Sequence, residues 1–180
     1  MTRKTLLAAA ATVAAVVSVG GAPALSHDDH GHGKRRFKAT LSGYNEMLQT
    51  LSTPARGSFS GRISRDGDSI AWRLEYKDIP TSVLQAHIHF GDHHTNGGIS
   101  VFLCTNLGNG PVGTPACPEK AGIVTGESTA EHVLGPGTQG IAAGEFAELI
   151  RALRAGRTYA NVHSAQYTGG EIRGQIKLDD

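Results

Sequence analysis

The chain has 180 residues, 39% hydrophobic and 18% charged, with a formal net charge of +1. That length and apolar content fit one packed domain, and the near-neutral balance removes the electrostatic case for nucleic acid as a partner. Its 24 glycines, well above the usual ~7%, favour short strands joined by turns.

The first 24 residues read as a secretory signal peptide. Arg3 and Lys4 make a positive start, Leu6 to Val19 form an apolar run, and Ala22-Pro23-Ala24 supplies a small-x-small cleavage pattern. The run falls short of the ~20 residues that span a bilayer, so no transmembrane segment is expected after its removal. Cleavage after Ala24 is the first expectation and cleavage after Ser26 the second. Removing Arg3 and Lys4 from 17 basic residues leaves 15 against 16 acidic ones, a net charge of −1. The expected location is outside the cytoplasm, either secreted or in the periplasm or cell envelope.

Residues 25–36 form a polar tail with His27, His30 and His32 and almost nothing apolar to bury, which predicts disorder. A mature chain starting at Leu25 would place His27 third from a free amine. Amine, two amide nitrogens and imidazole would then make the square-planar set that Cu(II) and Ni(II) favour. The alternative is a solubilising tail with no ligand role.

From residue 37 to 180 the pattern is one all-β domain. Strands are predicted at about 37–43, 57–64, 69–76, 83–90, 99–104, 122–129, 157–164 and 171–178. Asp66-Gly67 is expected to supply the positive φ values of a tight hairpin turn between the second and third. Ile70, Trp72, Leu74 and Tyr76 alternate with Ala71, Arg73, Glu75 and Lys77, which gives the third strand one buried face. The last two strands flank Tyr167-Thr168-Gly169-Gly170 and should pair as an antiparallel hairpin. Phe146, Leu149, Ile150 and Leu153 recur at helical spacing, with Gly156 placed to end the turn. They predict one short amphipathic helix near 145–155.

The fourth strand carries the chemistry. In Gln85-Ala86-His87-Ile88-His89-Phe90 the two imidazoles share one face while Ala86, Ile88 and Phe90 share the other, apolar one. Tyr159-Ala160-Asn161-Val162-His163 has the same phase, turning Asn161 and His163 outward. Three imidazoles could thus gather on the outer surface of a sheet. Neutral imidazole suits copper and zinc, and three histidines with an open position are a known ligand set. The competing reading is three solvated or loop-bonded histidines. His93, His94 and His132 are further metal-ligand candidates that no motif selects.

Cys104 and Cys117 bracket a stretch rich in Gly, Pro and Asn, which reads as a loop. In an oxidising compartment a disulfide is expected, closing that loop for a gain of roughly 3 kcal/mol; two unpaired thiols are the alternative. Glu75, Lys77, Glu171 and Arg173 read as solvated faces or cross-strand pairs. Asp92 could orient a ligating histidine, or cap a turn.

Several pieces resemble the CHRD (chordin-type) domain: Phe37-Lys38-Ala39-Thr40-Leu41-Ser42-Gly43, the hairpin at Asp66-Gly67, and Ala86-His87-Ile88-His89. The fullest match is Leu153 to His163 followed by Gly169-Gly170-Glu171-Ile172-Arg173-Gly174-Gln175-Ile176. The resemblance, of the bacterial secreted type, implies an exported antiparallel β-sandwich, Greek-key-like, of about eight strands, without bringing a reaction. A second, local likeness joins His87-Ile88-His89-Phe90-Gly91-Asp92 and Thr95-Asn96-Gly97 to the copper strand and adjoining loop of Cu,Zn superoxide dismutases. It implies copper-type ligation at His87, His89 and His163. No zinc-loop pattern follows, and no arginine is assignable beside the metal.

Three functions follow: a secreted, non-catalytic module that binds copper or zinc; an extracellular adhesion or interaction domain with a protein partner and no metal; and a dismutase-like copper enzyme. The first accounts for the strand histidines, His93-His94 and the tail together. The second explains why no acid/base pair, phosphate loop or nucleophile motif appears.

Overall fold

The nine strands of the computed structural model, which describes residues 34–179, run antiparallel in a single sheet: β1 Arg36–Ser42, β2 Arg56–Ile63, β3 Ile70–Lys77, β4 Val83–Phe90, β5 Ile99–Thr105, β6 Gly122–Ser128, β7 Thr158–Ser164, β8 Ile172–Gln175 and β9 Lys177–Leu178. The predicted signal peptide and the histidines of the predicted tail lie outside the described residues. The spatial order is β5-β4-β7-β8-β1-β2-β3-β6, with β9 paired to β1. The sheet curls until β5 and β6 approach each other, so the all-β antiparallel expectation holds as a nearly closed, barrel-like sandwich.

Alternation decides which side faces in. Ile70, Trp72, Leu74 and Tyr76 on β3, Ala86 and Ile88 on β4, Ala160 and Val162 on β7, and Ile172 on β8 all join one apolar core. The single α-helix, α1 (Phe146–Arg154), adds Phe146, Leu149, Ile150 and Leu153 to it. Gly156, at φ 66, then turns the chain back toward β7.

Differences from the sequence expectation are local. The last predicted strand is split at Ile176, whose N–H bonds to the Thr158 carbonyl, and this yields β8 and β9. Between β2 and β3 only Gly67 takes a positive φ (84), and the connection spans Ser64 to Ser69 rather than a two-residue turn, because Ile63 and Ile70 are the last paired residues. β7 and β8 pair as expected, Val162 opposite Ile172 and Asn161 opposite Arg173.

Two devices tie the sheet's ends together. Cys104 and Cys117 are disulfide-bonded, with Cα atoms 5.1 Å apart, joining β5 to the segment that leads into β6. The N–H groups of Val83 and Ile79 donate to the carbonyls of Glu119 and Lys120 on that same segment. Opposite β4, β5 carries an extra residue at Leu103 and again at Ser100, since His87 faces Phe102 and His89 faces Ile99. Such bulges re-aim side chains, and these two flank the histidines of β4.

Candidate metal centre

On the face of β4, β7 and β8 opposite the core lies a second, polar layer. Register puts His87 opposite Asn161, His89 opposite Tyr159, Gln85 opposite His163, and Arg173 and Gln175 opposite Asn161 and Tyr159. Strand alternation alone predicts that this face is an outer surface. The structure overturns that: His87 is 0% exposed, His89 and His163 7% each, Asn161 3% and Arg173 2%. Alternation specified the direction of these side chains but not the loops that fold over them.

The segment between β4 and β5 forms one part of this cover. The Arg173 guanidinium donates to the carbonyls of Asp92 (2.7 Å) and Thr95 (2.9 Å) and to Asn96 Oδ1. It also lies 3.4 Å from the centre of the Tyr159 ring, a cation–π contact. Tyr159 stacks on His89 with ring planes 2° apart, and its hydroxyl accepts the Gly97 N–H at 3.1 Å. Gly97 must be glycine, because a Cβ there would fall 1.6 Å from the Phe90 carbonyl oxygen. The segment after β1 is held to the same face by Glu46, whose Oε1 accepts from Asn161 Nδ2 at 2.6 Å. Thr53 donates to the buried Glu171 at 2.7 Å.

Under this roof the three histidines converge. Nδ1 of His89 meets the Gly97 carbonyl and Nδ1 of His163 the Thr168 carbonyl, both at 2.9 Å. A carbonyl only accepts, so each Nδ1 carries the proton and each Nε2 keeps its lone pair. His163 Nε2 lies 3.2 Å from His87 Nδ1, and ligating atoms of all three rings lie within 4.8 Å of one another. Two nitrogens bound tetrahedrally to one ion at ~2.0–2.1 Å would be about 3.3–3.4 Å apart. The buried Nε2 atoms of His87 and His89 have no hydrogen-bond partner among the described residues. Leaving such an atom unpaired costs ~1–3 kcal/mol, a cost that an ion bound at His89 Nε2 would remove for that ring.

The rings are held neutral, as ligation requires. Burial, reinforced by His163 and His89, drives His87 far below the usual imidazole range. Burial brings His89 down to about 4, against the opposing effect of the Gly97 hydrogen bond. Burial also lowers His163, again opposed by its carbonyl bond. The carbonyl partners on Nδ1 resemble the outer contacts that fix the tautomer and orientation of metal-binding histidines.

A model of the CHRD domain matches residues 37–176. The chain belongs to the CHRD family. No curated protein matches it. In this CHRD domain the polar layer is built from the stretches that carry the resemblance: Ala86-His87-Ile88-His89, Ala160-Asn161-Val162-His163 and Glu171-Ile172-Arg173.

The remaining candidates fall elsewhere. His93 and His94 are exposed on the covering segment, their ring centres 6.3 Å apart, and His93 pairs with Asp92. His132 closes a capping box, its Nδ1 accepting the Thr129 N–H at 3.1 Å. None of the three joins the cluster. Asp92 serves its own turn and an ion pair with Arg157 rather than a ligating histidine. Glu75 and Lys77 are exposed as expected, whereas Glu171 (0%) and Arg173 are buried, which corrects their reading as solvated residues. Arg173 is also the arginine beside the histidines that the sequence did not identify. Its signal was its phase: Tyr159, Asn161, Arg173 and Gln175 continue the polar row of the histidines on adjacent strands.

Proposed function

We propose that this CHRD domain is an exported, non-catalytic module that binds one copper or zinc ion through His87, His89 and His163. The observation that carries this reading is the convergence of three buried imidazoles, with carbonyl bonds fixing the tautomers of His89 and His163 and unpartnered Nε2 atoms on His87 and His89. Enclosure favours binding over turnover, because a catalytic ion needs a position open to substrate and His87 has no exposed surface. The apolar run before Ala22-Pro23-Ala24 supports export, and among the described residues no helix is long and apolar enough to cross a membrane.

Metal titration of untagged, chelator-treated protein tests the proposal. Wild type should take up one ion per chain that His89→Ala does not. Because His89 is buried against Tyr159, the variant should also lose roughly 1–3 kcal/mol of stability, so circular dichroism must show it folded. Equal uptake by the two proteins would refute the site.

A further inference from the structure

We infer that the three-histidine centre selects monovalent copper, Cu(I), over divalent ions such as Zn(II). The inference rests on the metal-binding reading above and adds the charge of the ion. Three features of the centre point to it.

The first is the donor set. Among the described residues the cluster holds three neutral imidazoles and no carboxylate or thiolate. Whatever charge the ion brings is therefore left unneutralised in a buried place. The cost of placing a charge in a low-dielectric interior rises as the square of that charge, so a divalent ion is penalised far more than a monovalent one. The buried carboxylates of Glu46 and Glu171 are bonded to Asn161 and Thr53, not to an imidazole.

The second feature is a fixed cation. Arg173 lies over Tyr159, and Tyr159 stacks on His89 with ring centres 4.8 Å apart, so a permanent positive charge sits one aromatic ring from a ligand. The guanidinium repels a divalent ion twice as strongly as a monovalent one at the same distance.

The third is coordination number. Three imidazole nitrogens complete a trigonal shell for Cu(I), a d10 ion content with three neutral donors. Zn(II) seeks a fourth ligand, which in three-histidine sites is a water. The walls here serve such a water poorly. Phe102 packs T-shaped against His87 with ring centres 4.3 Å apart, Tyr159 stacks on His89, and the Gly97 and Thr168 carbonyls are engaged on the Nδ1 side of their rings.

The experiment uses the full, untagged chain under anaerobic conditions, with Cu(I) buffered by bicinchoninate and Zn(II) by a chromophoric zinc chelator. His89→Ala is run in parallel to subtract binding at other histidines. Wild type should hold one Cu(I) at least about tenfold more tightly than Zn(II), and zinc-loaded protein should release its zinc to one equivalent of Cu(I). His163→Asp puts a carboxylate into the set and should move the Cu(I)/Zn(II) affinity ratio at least about tenfold toward zinc. If circular dichroism shows that variant unfolded, His89→Asp takes its place. Zn(II) binding as tight as Cu(I) in wild type, or an unchanged ratio in the folded aspartate variant, would overturn the selectivity and leave the metal site standing. Failure of wild type to bind either ion above the His89→Ala background would instead remove the site itself.

Discussion

Replacing Glu46 by glutamine should stabilise this protein above pH 7 and change little below pH 4.5. Glu46 is 8% exposed and its Oε1 accepts a hydrogen bond from Asn161. Burial raises its carboxyl from 4.5 to about 7, outweighing the Asn161 bond and the nearby Arg173, with Glu171 adding to the rise. Between those values the folded chain keeps a proton that the unfolded chain has released, so stability falls as pH rises through this window and then levels off. Each tenfold change in acidity is worth ~1.36 kcal/mol, so the loss above pH 7 amounts to about 3 kcal/mol. Glutamine can still accept from Asn161 Nδ2 and carries no charge to bury. Urea unfolding at a series of pH values from 4.5 to 8.5 reads the difference. The variant should be level with wild type at the acid end and more stable by up to about 3 kcal/mol at the alkaline end. A difference that does not vary with pH, or a wild type that gains on the variant as pH rises, would refute the reasoning.

Arg173→Gln should release the segment from Asp92 to Gly97, since it removes two bonds to backbone carbonyls and the contact on Tyr159. Amide exchange there should quicken by at least ~10-fold while β2 and β3 keep their protection; unchanged exchange would show that other contacts hold the roof. Replacing both Cys104 and Cys117 by serine should cost roughly 3 kcal/mol in chemical unfolding, and thiol labelling of unfolded, unreduced wild type should find no reactive thiol.

The apolar half of the fold was legible because it follows a period of two. Ile70, Trp72, Leu74 and Tyr76 fall on one face whatever surrounds them, and the same rule oriented His87, His89 and His163 together. The cover over that polar face was not legible. It depends on Arg173 reaching the Asp92 and Thr95 carbonyls, far away in sequence, and on Gly97 lying against Phe90. Alternation reports which way a side chain points and carries no information about what folds over it. The burial of Arg173 and Glu171 was illegible for the same reason. Arg173 on β8 and Glu171 just before it are charged residues beside Ile172, a pattern shared by solvated residues and by residues roofed with hydrogen-bond partners. The break at Ile176 depends on its N–H turning to Thr158, a tertiary bond with no local signature.

Elemental analysis of the untagged protein, purified from its native compartment without chelators, tests the central claim most directly. One copper or zinc ion per chain, lost in His89→Ala prepared the same way, is the predicted result. A wild-type protein that emerges folded and without stoichiometric metal would contradict the account and leave the three histidines as a hydrogen-bonding cluster inside an interaction domain.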